Sequence, residues 1–325
     1  MLDVFFTVDT EIWCGAWDNL DRRFPEAYRR YVYGPTRQGE YGLPMTLRIL
    51  NDHGLRGVFF VEPLFSLRFG AQPLQELVGL IRDAGHEVQL HLHTEWVDEA
   101  PQTPALPRVS QKMQYLRLFN LADQTALIRC GKDLLAGAGV TDPLTAFRAG
   151  GFAANLDTLR AVAVNSISFE TSYNPAARIG VADIAPGRVL VQPESIAGVS
   201  VYPVTVFRDG LRGRLRHLQL TACSFREMAQ VLNGAAEAGW RAVVIVSHNF
   251  ELLNPAKDRR DPIVVRRLQQ LCRFLDRHRD RFAVRGFTGL GSMAAKQVDL
   301  QPAPLHASPR ATGQRYLEQA ARRLL

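Results

Sequence analysis

Short runs of apolar and β-branched residues alternate with segments of helical period along most of this 325-residue chain. The first run covers residues 4–9 and ends in an acid, and the clearest run covers residues 243–248. No glycine-rich phosphate-binding fingerprint interrupts the alternation. The pattern therefore predicts an α/β fold, a parallel barrel-like sheet with helices outside, in which functional residues gather where the strands end.

The predicted elements continue to residue 287. Strands are expected at residues 4–9, 58–61, 87–93, 146–148, 167–169, 189–191, 243–248 and 282–287. Helices are expected at residues 45–53, 74–84, 123–136, 156–164, 224–238 and 262–278. Residues 14–42 are predicted to be an ordered functional loop or an insertion. We expect a single domain over residues 1–297 and a flexible tail over residues 298–325 that ends in a short docking helix.

Charge and cysteine content exclude several classes of protein. The formal charge is +7 and the pI is near 9.5, but the arginines lie mostly in predicted helices without interleaved aromatic residues. This favours solvated helix faces, and no nucleic-acid partner is expected. The four cysteines are widely scattered, so neither a disulfide framework nor a structural zinc site is indicated.

The first residues of the chain enter a strand pattern directly, with no basic leader and no long apolar run. A signal peptide and a membrane span are therefore not expected, and the cytoplasm is the default location. The oligomeric state does not follow from the sequence.

Two acids, Asp9 and Glu11, stand at the end of the first strand. On an extended backbone, residues i and i+2 point to the same side, so the two carboxylates converge on one small volume. Two acids so close together need a cation or a shared proton. A helix cap or a surface pair is less consistent with the buried strand that precedes them.

A second cluster, His91, His93 and Glu95, follows the predicted strand at residues 87–93. If the chain stays extended, His91 and His93 share a face, whereas in a helical turn His91 and Glu95 do. Imidazole nitrogens and carboxylate oxygens suit zinc or a similar divalent ion, and a catalytic site needs about three protein ligands.

Four motifs, taken in order, resemble those of the polysaccharide deacetylase family, also called the NodB-homology family. The motifs are Thr7-Val8-Asp9-Thr10-Glu11, then Gly85-His86-Glu87 with His91-Leu92-His93-Thr94-Glu95, then Phe147-Arg148-Ala149-Gly150-Gly151, and last Val246-Ser247-His248-Asn249-Phe250-Glu251-Leu252. The resemblance implies a distorted (β/α) barrel of about seven units. It also implies a metal-dependent hydrolase that removes N- or O-acetyl groups from a polysaccharide or amino-sugar glycan.

The resemblance implies catalytic roles for three residues. Asp9 takes the position of the general base, which removes a proton from the attacking water. Arg148 corresponds to the arginine that orients this base through a charge-assisted hydrogen bond. His248 corresponds to the histidine that protonates the leaving group.

The implied cofactor is a divalent metal, with Zn²⁺ expected first and Mn²⁺ or Co²⁺ as alternatives. Glu11 takes the position of the metal-binding acid, although Thr10 separates it from Asp9 where the family commonly has adjacent aspartates, which leaves the two acids exchangeable. His91 matches the first metal-binding histidine. At the position of the second the chain has Glu95, so either Glu95 or His93 completes the site.

A carbohydrate is the implied partner. Trp96, Gly150 and Tyr173 are the predicted substrate contacts, and Trp13 and Trp17 are further candidates for stacking on a sugar ring, although each aromatic residue equally suits core packing. Two other functions stay open: a glycan-binding protein of the same fold without catalysis, and a carbon–nitrogen hydrolase of a small molecule.

Overall fold

The computed structural model describes residues 1–100, 106–177, 182–291 and 300–323. The strands are β1 (Leu2–Thr10), β2 (Pro35–Thr36), β3 (Gly39–Glu40), β4 (Val58–Val61), β5 (Glu87–Leu92), β6 (Ala146–Ala149), β7 (Phe169–Glu170), β8 (Glu194–Ile196), β9 (Val199–Val201), β10 (Val206–Arg208), β11 (Leu215–His217), β12 (Ala242–His248), β13 (Phe282–Val284) and β14 (Leu305–His306). The α-helices are α1 (Leu20–Tyr28), α2 (Leu43–Asn51), α3 (Ser66–Phe69), α4 (Ala71–Asp83), α5 (Leu121–Gly137), α6 (Leu156–Val164), α7 (Phe225–Glu237), α8 (Pro262–Arg277) and α9 (Pro309–Arg322). A π-helix covers Arg29–Tyr33, and 3-10 helices cover Thr94–Glu99, Leu116–Leu118 and Gly150–Phe152.

A curled sheet forms the centre of the molecule. Its parallel strands follow the order β12-β1-β4-β5-β6-β7-β9, with β8 antiparallel at the edge and β13 paired to the start of β1. Beyond β12, Val246 exchanges backbone hydrogen bonds with Leu218 and Leu220, so the sheet curls into an incompletely closed barrel. The predicted α/β barrel-like fold is confirmed.

The inner face of β1 changes from apolar to polar along its length. On β1, Phe5 lies in the apolar cluster inside the curl, whereas Thr7 and Asp9 on the same face bind the Arg148 guanidinium. Because side chains alternate along a strand, this single face carries both the packing and the polar groups. Arg148 itself lies over the Phe60 ring, 4.5 Å from its centroid, where the apolar cluster ends.

Two of the predicted helices have starts that are encoded locally. Ser224 and Glu227 form a capping box at the start of α7, in which each side chain binds the backbone N–H of the other. Asp261 accepts two backbone N–H groups in the first turn of α8, and Pro262 stands at the first helical position. Each cap contributes about 1 kcal/mol.

The segment after residue 300 packs on the barrel. β14 pairs in parallel with β10, and α9 lies against α7 and α8. The buried Arg315 Nε donates to Glu227 Oε1 at 3.0 Å, and Arg322 Nε donates to Asp261 Oδ2 at 2.5 Å. α9 lies within the segment predicted as a tail with a docking helix, and the start of that segment at residue 298 lies outside the described residues.

Two segments differ from the prediction or refine it. The predicted strand at 189–191 is wrong, because side chains satisfy its backbone: Tyr173 Oη accepts from Leu190 N–H and Gln301 Oε1 accepts from Val191 N–H. Residues 14–42 form an ordered insertion with α1, the π-helix and the β2–β3 hairpin. In the part of the chain that the structure describes, no helix has the length and apolar character needed to cross a bilayer.

Candidate active site

The carboxyl ends of β1, β5, β6 and β12 bring the sequence-predicted polar residues to one edge of the sheet. Asp9 lies beside His248 in the β1–β12 register, and His91 lies beside Arg148 in the β5–β6 register. These groups are buried, except that His248 is partly exposed, with 22% of its side-chain surface accessible. A partly open group at the end of a buried cluster is the arrangement expected for a site that a substrate reaches from one side.

Three buried side chains converge on one volume. One ligand atom each from Glu11, His91 and His93 lies within 4.8 Å of the other two. Glu11 Oε2 is 2.6 Å from His93 Nε2 and 3.6 Å from His91 Nε2. The chain is therefore extended at His91 and His93, and the two rings share a face. This donor set fits a catalytic divalent metal, which takes about three protein ligands and keeps a position open.

The far nitrogens of both histidines are held by hydrogen bonds. His91 Nδ1 lies 2.7 Å from the Arg148 carbonyl oxygen, so it donates and leaves the Nε2 lone pair toward Glu11. His93 Nδ1 lies 3.3 Å from Glu95 Oε2. Glu95 thus contacts the opposite side of the His93 ring from Glu11. The geometry supports His93 as the third ligand and Glu95 as the carboxylate that orients it.

Glu11 and His93 each shift the pKa of the other. Burial raises the pKa of Glu11, but the His93 charge and the hydrogen bonds from His91 and His93 outweigh burial and hold this pKa well below its usual value. Burial lowers the pKa of His93, but Glu11 and Glu95 outweigh burial and raise this pKa well above its usual value. Since a ligand histidine must be neutral, binding of a metal here would release a proton.

Asp9 is held by a buried guanidinium. Arg148 Nη1 donates to Asp9 Oδ1 at 2.5 Å and to Thr7 Oγ1 at 2.9 Å, while Arg148 Nε and Nη2 donate to the carbonyl and hydroxyl oxygens of Thr171. Arg148 is fully buried and Asp9 is 3% exposed. A buried charge pair with additional hydrogen bonds holds both groups in a fixed orientation.

His248 has a carboxylate partner of its own. Its Nδ1 lies 2.8 Å from Glu251 Oε1, and Glu251 also accepts from Gln219 Nε2 and from the Thr221 backbone N–H. Burial lowers the pKa of His248, but the hydrogen bond and charge of Glu251, with the charges of Glu11 and Asp9, raise this pKa to about 9. The ring is therefore protonated at neutral pH.

The three predicted substrate contacts are buried in the structure. Trp96 is 2% exposed and packs against Trp17, so it belongs to the core. Tyr173 is also buried, and its hydroxyl donates to the Arg188 carbonyl. At Gly150, a Cβ atom would lie 2.7 Å from His93 Nδ1, so this glycine makes room for the His93 ring. None of the three offers a free surface to a sugar.

Several site residues lie outside the sequence-based prediction. Thr7, Gln219 and Glu251 bind predicted residues directly, and Glu62 follows β4 at the same edge. Burial raises the pKa of Glu62 to about 8, so it is protonated at neutral pH. Glu251 and Glu62 carried a usable signal, because each is an acid within three residues of a predicted strand end. Gln219, in contrast, comes from a distant irregular segment.

Comparison with known proteins bears on the fold. No family model and no curated protein matches the chain. A Mycobacterium smegmatis protein provisionally named a polysaccharide deacetylase aligns with 88% of this chain and 87% of its own, at 16% identity and a TM-score of 0.55. The 4-alpha-glucanotransferase of Thermococcus litoralis aligns with 88% of this chain and 39% of its own, at 10% identity and a TM-score of 0.51. The chain therefore has the curled (β/α) barrel fold of the protein named as a polysaccharide deacetylase.

Proposed function

We propose that this chain is a metal-dependent hydrolase that removes N- or O-acetyl groups from a glycan. The observation that carries the proposal is the juxtaposition, at one edge of the sheet, of a metal-binding triad with a fixed acid and a protonated histidine. The triad is Glu11, His91 and His93, the fixed acid is Asp9, and the protonated histidine is His248. The fold likeness to a protein named as a polysaccharide deacetylase agrees with this chemistry.

Glu11, His91 and His93 would hold the metal, and Zn²⁺ suits two imidazoles and one carboxylate, with Mn²⁺ or Co²⁺ as alternatives. When bound, such an ion supplies Lewis acidity toward the acyl carbonyl and toward water. The described residues around the triad supply the orientation: the Arg148 carbonyl fixes the His91 ring, and Glu95 fixes the His93 ring.

Asp9 is suited to act as the general base. Arg148 binds its Oδ1, so the carboxylate is fixed in orientation, and no arginine of the described residues binds its second oxygen. A carboxylate held in this way can accept a proton from attacking water. Asp9 precedes Glu11 of the triad by two residues, so on an extended backbone both carboxylates point to the same side, and the proton acceptor would lie beside an acyl group held at the triad.

His248 is suited to act as the general acid. Its Nδ1 is bound to Glu251, which leaves Nε2 as the nitrogen that donates to the departing amine or alcohol. The raised pKa keeps the ring protonated at neutral pH, before the bond to the leaving group breaks. The triad, Asp9 and His248 together would form an acyl-transfer site with water as acceptor.

Acetate release from chitotetraose by the purified protein tests the proposal. We expect activity that is lost on chelation and restored by Zn²⁺. Elemental analysis should show about one metal ion per chain, which disappears in His91→Ala but persists in His53→Ala, a histidine on the outer surface paired with Asp276. A protein that binds no divalent ion, or whose acetate release is unaffected by His91→Ala, contradicts the proposal.

A further inference from the structure

A cavity of about 300 Å³ opens beside the candidate metal triad. Trp13, Tyr31 and Lys257 form part of its wall. The Trp13 ring lies 4.7 Å from the His93 ring, and Asn249 Nδ2 donates to the backbone carbonyls of both Tyr31 and Glu11. The cavity wall therefore contacts the His93 ring directly and is tied to Glu11 through Asn249, so the cavity is adjacent to the triad.

The wall of this cavity is basic. Arg23, Arg30 and Lys257 face it, against one acid, Glu26. Arg30 is paired with Glu26, and Arg23 binds Asp18 beyond the cavity rim, so each guanidinium keeps unused N–H donors. Within the described residues, the Lys257 ammonium has no carboxylate partner, and its polar contact is the Pro255 carbonyl at 3.5 Å.

Lys257 is held in place. Its ammonium lies 4.9 Å from the centroids of both the Tyr31 and Phe250 rings. Its backbone has φ of 55°, a left-handed conformation that a lysine rarely adopts, in a turn where its N–H donates to the Asn254 carbonyl. Both Lys257 and Arg30 line the cavity; burial and the Arg30 charge lower the pKa of Lys257, and the Glu11 charge opposes this change.

A strained, positioned cation without an anionic partner, at the mouth of a site, is a feature of ligand recognition. We propose that the cavity binds an anionic group of the substrate, a carboxylate or a phosphate, attached near the sugar that carries the acyl group. This inference rests on the proposed function. Trp13 and Tyr31 are half-buried, so their exposed ring surface contacts the sugar that bears the charge.

Binding of matched charged and neutral ligands tests the inference. The protein carries Asp9→Asn to prevent turnover. One pair of ligands is a hyaluronan tetrasaccharide, which has carboxylates, against chitotetraose. The other pair is N-acetylglucosamine 1-phosphate against N-acetylglucosamine. Dissociation constants are measured by calorimetry at low and high salt, because the charge-dependent part weakens as salt increases.

We expect the charged member of at least one pair to bind more tightly, and Lys257→Gln to reduce this preference by about three- to fivefold. Arg259→Gln is the matched control, because it removes one charge from the same loop at a side chain that is 66% exposed and paired with Asp258. The pair that shows the preference identifies the carboxylate or the phosphate as the recognised group. Equal affinity in both pairs, or equal effects of the two substitutions, overturns the inference.

Acetate release by the unmodified protein separates this inference from the proposed function. A protein that releases acetate from chitotetraose but shows no Lys257-dependent preference contradicts the anion site alone. A protein that shows the preference but releases acetate from neither the charged nor the neutral oligosaccharide contradicts the proposed hydrolysis and leaves the anion site standing.

Discussion

The candidate site has two halves that differ in how their charges are neutralised. In the proton-transfer half, Asp9 is paired with Arg148, and protonated His248 is paired with Glu251. In the metal half, Glu11 and Glu95 contact only histidines among the ion pairs of the described residues. With neutral imidazoles this half carries two negative charges. The charges of the first half are balanced within the half, whereas the charges of the second half require protons or a divalent cation.

This difference has a physical consequence for how each half responds to substitution. Removing a partner from the proton-transfer half leaves a buried charge unpaired, so both the protonation state and the orientation of its neighbour change. Removing an outer carboxylate from the metal half weakens cation binding but leaves the ligands in place. Substitutions in the proton-transfer half should therefore change the rate of acetate release or its pH dependence, whereas substitutions in the metal half should change metal affinity.

The largest expected effect is that of Asp9→Asn. The amide cannot accept a proton from water, so we expect acetate release to fall by about 10²- to 10⁴-fold. Metal content should be unchanged, because Asp9 belongs to the proton-transfer half. Asp3→Asn is the control, since Asp3 lies at the other end of the same strand and pairs with Arg285. Loss of metal in Asp9→Asn would instead make Asp9 a ligand.

Glu95→Gln should act on the metal half. Loss of the carboxylate behind His93 is expected to weaken metal affinity by about 10- to 100-fold, as measured by competition with a zinc-binding dye. Glu99→Gln is the matched control, because Glu99 lies on the same 3-10 helix and binds Arg68 and Lys112 instead. If Glu95→Gln abolishes binding as fully as His93→Ala does, Glu95 is itself a ligand.

Glu251→Gln should change the pH dependence of activity. The pKa of His248 is about 9 because the Glu251 hydrogen bond and charge outweigh burial, so the acid form is present below that pH and is lost as pH rises through it. Removing the Glu251 charge lowers this pKa. The alkaline limb of the kcat/KM profile should therefore move to lower pH, with about a tenfold loss of activity near pH 8.

A bound cation lowers the pKa of His248 in both proteins, so the comparison is made at equal metal content. Glu237→Gln, at the exposed end of α7, should leave the profile where it is. An unchanged alkaline limb in Glu251→Gln, with metal content equal to that of the unmodified protein, would remove His248 from the role of general acid.

The sequence predicted the fold and the position of the site better than the contacts within it. Asp9, His91 and His248 were identifiable because each follows a run with strand composition, and strand ends of a parallel sheet meet at one edge. The choice between His93 and Glu95 depended on where β5 ends. A shift of one or two residues in that end changes which of the two side chains shares a face with His91. The burial of Trp96 could not be predicted from neighbouring residues, because a ring that lines a site and a ring that packs beneath it have the same sequence context.

The smallest expected effect is that of Thr7→Val. The Thr7 hydroxyl donates to the Ile245 carbonyl at 2.7 Å and accepts from Arg148, so it joins β1, β6 and β12 below Asp9. Valine has a similar shape but leaves the buried guanidinium one acceptor short, which should lower the free energy of unfolding by about 1–3 kcal/mol. Thr10→Val is the control, because the hydrogen bond of the Thr10 hydroxyl within the described part of the chain is a long one, 3.4 Å to the Val8 carbonyl. Denaturant unfolding measures the stability.

We expect acetate release by Thr7→Val to fall only a few-fold, because Arg148 keeps its bond to Asp9. A loss as large as that of Asp9→Asn would show that the Thr7 contact, rather than the ion pair, fixes the base.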